Sequence, residues 1–124
     1  MTIRVLAIDD SRVIRNLVHQ AITEAGLECQ LANDGEEGIA RFREDPPDVV
    51  ITDINMPKLD GFGVINAIRS GDRSARVPIL VLTTESSPHL KSRARDAGAT
   101  GWLVKPFEDD ALVSVIRRVA GDRI

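Results

Sequence analysis

Val49-Val50-Ile51-Thr52-Asp53-Ile54-Asn55-Met56-Pro57 is the stretch on which the fold turns. An apolar, β-branched run stops abruptly on a carboxylate, and a proline-containing turn follows. A short apolar run bounded by turn signals reads as a strand buried on both faces, the kind found at the centre of a parallel sheet. Asp53 then stands where that strand ends. In open α/β sheets, ligands bind in the crevice outside the carboxyl ends of the strands. The pattern that builds the core therefore also places Asp53 for chemistry. Taken alone, Asp53 is equally well read as the start of a turn, a common place for aspartate.

The neighbouring segments repeat the pattern. Ile3 to Ile8 is a second buried-strand run that ends on carboxylates, Asp9 and Asp10, with Ser11 placed to cap a helix. Ile14, Leu17, Val18, Ala21, Ile22 and Ala25 recur at helical spacing, and Gly26 suits the helix end. Leu27 to Ala32 is a mixed strand suited to a sheet edge. Asn33-Asp34-Gly35 is a turn, and Gly38, Ile39 and Phe42 mark a short helix stopped by Asp45-Pro46-Pro47. Beyond Asp53, Asp60-Gly61 marks a turn. Val64, Ile65, Ile68 and Arg69 carry a helix that closes near Gly71. Pro78 to Thr83 is a strand ending on a hydroxyl. Pro88 opens a helix with Leu90, Ala94 and Ala97 toward the core and Gly98 at its end. Thr100 to Val104 is a strand running into Lys105-Pro106. Asp109 and Asp110 suit the positive end of a last helix, whose buried stripe is Leu112, Val115, Ile116 and Val119.

Five strands alternating with five helices imply a parallel sheet covered on both faces. Right-handed crossovers leave few topologies. The most economical for five units is the doubly wound order 2-1-3-4-5, the flavodoxin-like α/β fold. In that order Asp9 and Asp10 lie beside Asp53 at the switch point, and Thr83 and Lys105 follow along the same edge.

The totals agree with this scale. The 124 residues fit one domain spanning 1–124, and a hydrophobic content of 43% suffices for a core. A net charge of −3 excludes a broad nucleic-acid footprint. One cysteine, Cys29, excludes an internal disulfide and any multi-cysteine zinc site. The first apolar run is too short for a signal sequence or a membrane span. The expectation is a soluble, cytoplasmic monomer that binds neither nucleic acid nor membrane.

Three carboxylates in one crevice repel one another, and each raises the pKa of the others unless a cation intervenes. A hard oxygen set of this size suits Mg²⁺, which keeps waters and binds through one or two carboxylates plus phosphate oxygens. Lys105 is a point charge that can meet a phosphate or an unmetallated carboxylate, and Thr83 offers a hydroxyl. The set suits a phosphoryl group carried on Asp53, an aspartyl phosphate. Each member has a plainer reading: Asp9-Asp10-Ser11 as a helix cap, Thr83 as a strand end, Lys105 as a solvated lysine. Their coincidence at four successive strand ends is what those readings do not explain. His19 and His89 lack neighbours at ligand spacing and read as surface residues.

Asp9-Asp10-Ser11, Asp53-Ile54-Asn55-Met56-Pro57, Asp60-Gly61, Thr83 and Lys105-Pro106-Phe107 resemble, in order and through the whole chain, the receiver domain of bacterial response regulators. The likeness is greatest to single-domain CheY-type chemotaxis proteins. The resemblance implies a two-component phosphorelay in which Asp53 accepts a phosphoryl group from a histidine kinase. It implies Mg²⁺ on Asp10, Asp53 and the Asn55 main-chain carbonyl, with Asp9 acting through water. Thr83 and Lys105 would hold the phosphoryl group, and Thr83 and Trp102 would form the switch. Tyrosine or phenylalanine is commoner at the position of Trp102. Asn55 and Glu85 match the positions that tune dephosphorylation, and the Lys105-Pro106 bond is expected to be cis.

The chain ends at Ile124 without an effector domain, so the expected output is partner binding or onward phosphotransfer. Val113, a quarter turn off the last helix's stripe, joins Trp102 and Lys91, Arg93 or Arg95 in the expected partner surface. The partner the resemblance favours is a flagellar motor switch protein; the alternative is a relay or phosphate sink for a kinase. No enzymatic turnover is expected beyond self-phosphorylation and self-dephosphorylation of Asp53. A haloacid-dehalogenase-type phosphatase would show Asp-x-Asp where Asn55 stands, and needs a cap domain that this length does not accommodate. A flavodoxin-like electron carrier needs stacking aromatics, and the chain has one tryptophan and no tyrosine.

Overall fold

The computed structural model describes residues 2–71 and 76–121. In chain order its elements are β1 (Arg4–Ile8), α1 (Arg12–Glu24), β2 (Glu28–Ala32), α2 (Gly35–Glu44) and β3 (Val49–Thr52). They continue as α3 (Gly61–Arg69), β4 (Ile79–Thr83), α4 (Pro88–Ala97), β5 (Gly101–Val104) and α5 (Asp109–Gly121). The five strands pair in parallel in the order β2-β1-β3-β4-β5, as the alternation predicts. The fold is a doubly wound, flavodoxin-like α/β sheet.

Burial explains the strand composition. Every residue of β3 and β4 is buried, while β2 alternates toward solvent as an edge strand does. Leu6, Ile8, Val50 and Ile79 face one core, packed with Ile39 and Phe42 of α2 and Val64, Ile65 and Ile68 of α3. Val5, Ala7, Ile51 and Leu80 face a second core, against Val18 and Ile22 of α1 and Leu112 and Ile116 of α5. Burying one such side chain fully is worth about 1.5–3 kcal/mol, so both faces resist a slip in register. Side-chain caps start the helices: Ser11, Asp34, Asp60 and Ser87 accept the amides of Ile14, Glu37, Gly63 and Leu90.

The register sets the site. Ile8 lies opposite Thr52, and Thr83 opposite Val104. The ladder runs one residue past the strands: the Asp53 amide donates to the Ile8 carbonyl at 3.1 Å, and the Lys105 amide to Thr83 at 2.7 Å. Asp9, Asp53, Thr83 and Lys105 are thus held by main-chain bonds at one edge of the sheet. The Lys105-Pro106 bond is cis.

Helix phases differ from the expectation in two places, α5 and α1. On α5, Val113 belongs to the buried face at 9% exposure, while Val115 and Val119 are only half-buried. The stripe is Leu112, Val113, Ile116 and Ala120, turned toward Val113 from the expected one. On α1, Leu17 is 47% exposed, and Val13 beside it 68%. On α4, Ala94 is buried and the half-buried Leu90 and Ala97 pack against the same core, as the spacing predicts. Among the described residues no helix is long and apolar enough to cross a membrane.

Candidate functional site

The centre of the site is an ionic knot. Lys105 Nζ donates to Asp9 Oδ2 at 2.7 Å and to Asp53 Oδ2 at 2.9 Å. The lysine side chain is only 8% exposed. The other oxygen of each carboxylate is held by main chain. Asp9 Oδ1 accepts the Ser11 amide at 2.9 Å. Asp53 Oδ1 accepts the Ile54 amide at 2.6 Å and, at 3.4 Å, that of Asn55. Carboxylate oxygens of Asp9, Asp10 and Asp53 lie within 4.8 Å of one another, with Asp10 exposed and the other two buried.

This crowding governs the charges. Burial pushes the Asp9 carboxyl above its usual value, against the hydrogen bonds from Lys105 and Ser11 that pull it down; the Asp53 charge adds to the rise. Burial works the other way on Lys105, but its bonds to Asp9 and Asp53 outweigh it, so its pKa stands above the ordinary lysine value. An all-oxygen set around one gap, open to water at Asp10, matches the ligand chemistry of a hard divalent cation.

A second chain of contacts leaves this knot. The buried Thr83 accepts the Glu85 amide on Oγ1 at 3.3 Å. The Glu85 carbonyl accepts the indole N–H of Trp102 at 3.1 Å. The Glu85 carboxylate accepts the Asn55 side-chain amide at 3.2 Å. Thr83, Glu85, Asn55 and Trp102 are therefore one hydrogen-bonded group. The sequence offered two of these residues as a tuning pair and two as a switch, without the link.

The family model for the response regulator receiver domain matches residues 5–117. This chain belongs to the response regulator receiver family. Receiver domains of response regulators accept phosphoryl groups in two-component signalling and interact with histidine kinases. Among solved structures, the chemotaxis protein CheY4 of Vibrio cholerae superposes with a TM-score of 0.91 at 43% identity, covering 96% of this chain and 99% of that one. A probable chemotaxis protein CheY of Rhizobium etli is 36% identical, over 96% of this receiver and 93% of its own length. The response regulator MprA of Mycobacterium leprae is 40% identical over 92% of this chain, which spans 49% of the MprA length.

Within this receiver the expected site residues fall into two places. Asp9, Asp10, Asp53, Thr83, Lys105, Asn55 and Glu85 gather at the carboxyl edge of the sheet. Lys91, Arg95 and Trp102 line a separate cleft of about 350 Å³ between α4 and β5. Val113 is not part of that surface; its side chain is in the core face of α5. Arg93 instead lies over the Phe62 ring, 3.9 Å from its centroid. Arg15 was missed at the sequence level: its guanidinium donates to the Asp9 carbonyl at 2.8 Å and braces the Asp9-Asp10 turn. The available signal was an arginine one turn into a helix whose cap directly follows the acidic pair.

Proposed function

We propose that residues 1–124 act as a single-domain, cytoplasmic response regulator that takes a phosphoryl group on Asp53 and switches partner binding in chemotaxis. The observation carrying the acceptor assignment is the shared bonding of Lys105 to Asp9 and Asp53 at 2.7 and 2.9 Å. It puts a cation beside a carboxylate that is fixed on one oxygen by main-chain amides. Support for chemotaxis comes from the Vibrio and Rhizobium proteins, which this chain matches along 99% and 93% of their length.

In this reading an Asp53 oxygen attacks the phosphorus of a kinase phosphohistidine. An O–P bond forms as the P–N bond breaks, and the imidazole leaves with the electron pair and takes up a proton. Lys105 follows the phosphoryl oxygens as its tie to Asp53 loosens. Thr83, whose oxygen already accepts the Glu85 amide, turns its O–H toward the phosphoryl group. Asp10 and Asp53, with the Asn55 carbonyl and with Asp9 through water, are the groups that would hold Mg²⁺. When bound there, Mg²⁺ supplies countercharge to the phosphoryl oxygens. Asn55 and Glu85, joined at 3.2 Å beside the acceptor, steer the water that later cleaves the O–P bond. Movement of Thr83 pulls on Glu85 and thereby on Trp102, which lies in the α4–β5 cleft with Lys91 and Arg95. A basic-rimmed cleft with an aromatic wall suits an acidic, apolar segment of a flagellar motor switch protein.

Acetyl phosphate with Mg²⁺, read by intact-protein mass spectrometry, tests the acceptor: the phosphoryl adduct forms in wild type and is lost in Asp53→Asn. An undiminished adduct in the variant places the acceptor elsewhere. Binding to a flagellar switch protein that is identical with and without beryllofluoride refutes the chemotaxis output, and phosphoryl flow back to a histidine protein would mark a relay.

A further inference from the structure

The segment from Asp53 to Asp60 joins β3 to α3, and Asn55, Pro57 and Lys58 within it are exposed. Such a turn keeps one shape only if something holds it. Its two ends are tied: the Ile54 amide bonds Asp53 Oδ1 at 2.6 Å, and the Gly61 amide bonds the Ile54 carbonyl at 2.9 Å. Its middle is under strain, because Lys58 is held at a φ of 68°, a left-handed conformation that costs energy for a residue with a side chain. The Lys58–Asp34 ion pair, at 3.6 Å and with the lysine 62% exposed, is too solvated to hold that shape alone.

Ile54 and Met56 tie the start of the turn to the core, and Leu59 anchors its far end. A Cβ at Gly35, the first residue of α2, would stand 2.3 Å from the Leu59 carbonyl oxygen. A Cβ at Gly63, in the first turn of α3, would stand 2.3 Å from Leu59 Cδ1. At Gly35 the obstacle is main chain and only glycine leaves room; at Gly63 a Cβ would push the end of the leucine side chain from its seat, so both helix starts are shaped around one leucine. The Leu59 side chain also packs against the core beneath α2 and α3.

We propose that Leu59, seated between Gly35 and Gly63, is a positioning residue that fixes the Asp53–Asp60 turn in the shape that binds a divalent cation. The proposal rests on the metal assignment above. Leu59 touches no ligand group itself; it acts through the three residues separating it from Asn55. Loss of outer supports around metal ligands typically costs 10–100-fold in affinity. A leucine-to-methionine change keeps volume and is well tolerated in packed sites.

The test is calorimetric titration of the metal-free protein with MgCl₂, alongside amide hydrogen exchange without metal. Leu59→Ala weakens Mg²⁺ roughly 10-fold and speeds exchange of the Asn55 to Gly61 amides, while β4 exchange is unchanged. Leu59→Met stays within about twofold of wild type. Leu27→Ala, a comparable truncation against the opposite core, leaves Mg²⁺ affinity unchanged. If wild type binds Mg²⁺ and Leu59→Ala binds it equally well, the positioning role is overturned while the metal assignment stands. Equal weakening in Leu27→Ala also overturns it, since any loss of stability would then suffice. A wild-type chain that takes no Mg²⁺ overturns the metal assignment and this proposal together, whereas the exchange arm still tells whether Leu59 holds the turn.

Discussion

Replacing Lys105 with methionine removes a cation bonded to two carboxylates at 2.7 and 2.9 Å and leaves the apolar stem volume in place. The cost lies between two limits. Breaking a fully buried pair by deleting one partner costs about 3–5 kcal/mol, and an exposed pair is worth about 0–1 kcal/mol. Side-chain exposures of 8% for Lys105 and 10% for Asp53 argue for the first limit. The water-facing Asp10 beside them argues for screening. A loss of about 2 kcal/mol follows, equivalent to a fall of roughly 6–10 °C in Tm for a domain of this size. The pH dependence has a definite sign. The Asp9 carboxyl has a folded pKa above its unfolded value, so the folded state binds more protons between the two. Its burdened charge therefore lowers stability as pH rises through that window, and removing Lys105 raises the folded value further. Lys105 itself has a raised folded pKa, so its own contribution is full below the unfolded lysine value and is lost only as pH rises through the folded one. The variant's deficit is accordingly full near neutral pH and shrinks on acidification as Asp9 protonates, which begins above the ordinary aspartate range. Saturating Mg²⁺, worth about 2.7 kcal/mol at a hundred times Kd, brings the variant back to about the stability of the metal-free wild type. Thermal melts followed by circular dichroism, metal-free and with Mg²⁺, read all three. A metal-free variant as stable as wild type at neutral pH, or a deficit that grows on acidification, refutes the ionic-knot account.

Three further outcomes are expected. Beryllofluoride with Mg²⁺ changes the emission or quenching of Trp102; Thr83→Ala keeps Mg²⁺ binding and loses most of the change, and a full signal in that variant breaks the Thr83–Glu85–Trp102 path. Replacing Asn55 and Glu85 together with apolar residues lengthens the phosphorylated lifetime, measured by decay of the adduct, and an unchanged lifetime removes the pair from the hydrolysis. Burial pushes the Cys29 thiol up to about 12, so near pH 8 iodoacetamide alkylates it roughly a thousandfold more slowly than an ordinary cysteine; a native rate within tenfold of the urea-unfolded rate contradicts this.

The sheet was readable because β3 and β4 are buried on both faces and are apolar up to a final threonine, and because Asp53 follows the one and Thr83 ends the other. The order of strands followed from alternation and handedness. The helices were harder. Val113 and Leu17 were misplaced because a hydrophobic stripe gives the direction of burial only to within a side chain or so, and the neighbours that α1 and α5 meet decide the rest. Arg15, and the Glu85 carbonyl that receives Trp102, escaped because main-chain acceptors leave no mark in a list of side chains. Leu59 escaped because its partners are the empty places over two glycines.

The stacking of Arg93 on Phe62 bears on how the molecule yields under load. With Ala94 as its one fully buried residue, α4 rests on the core through that small side chain, the half-buried Leu90 and Ala97, and a guanidinium laid across an aromatic ring of α3. A contact of that kind contributes about 0.5–1 kcal/mol when exposed, and it slides more readily than interlocked aliphatic side chains. Regions with little buried apolar contact open at a small fraction of the global unfolding free energy. The protein thus has a stiff keel, β1, β3 and β4, and a lightly moored flank, α4. Displacing that flank would leave the keel's register untouched, so a binder that pries at α4 works against a soft spring and leaves the strand ends where they are.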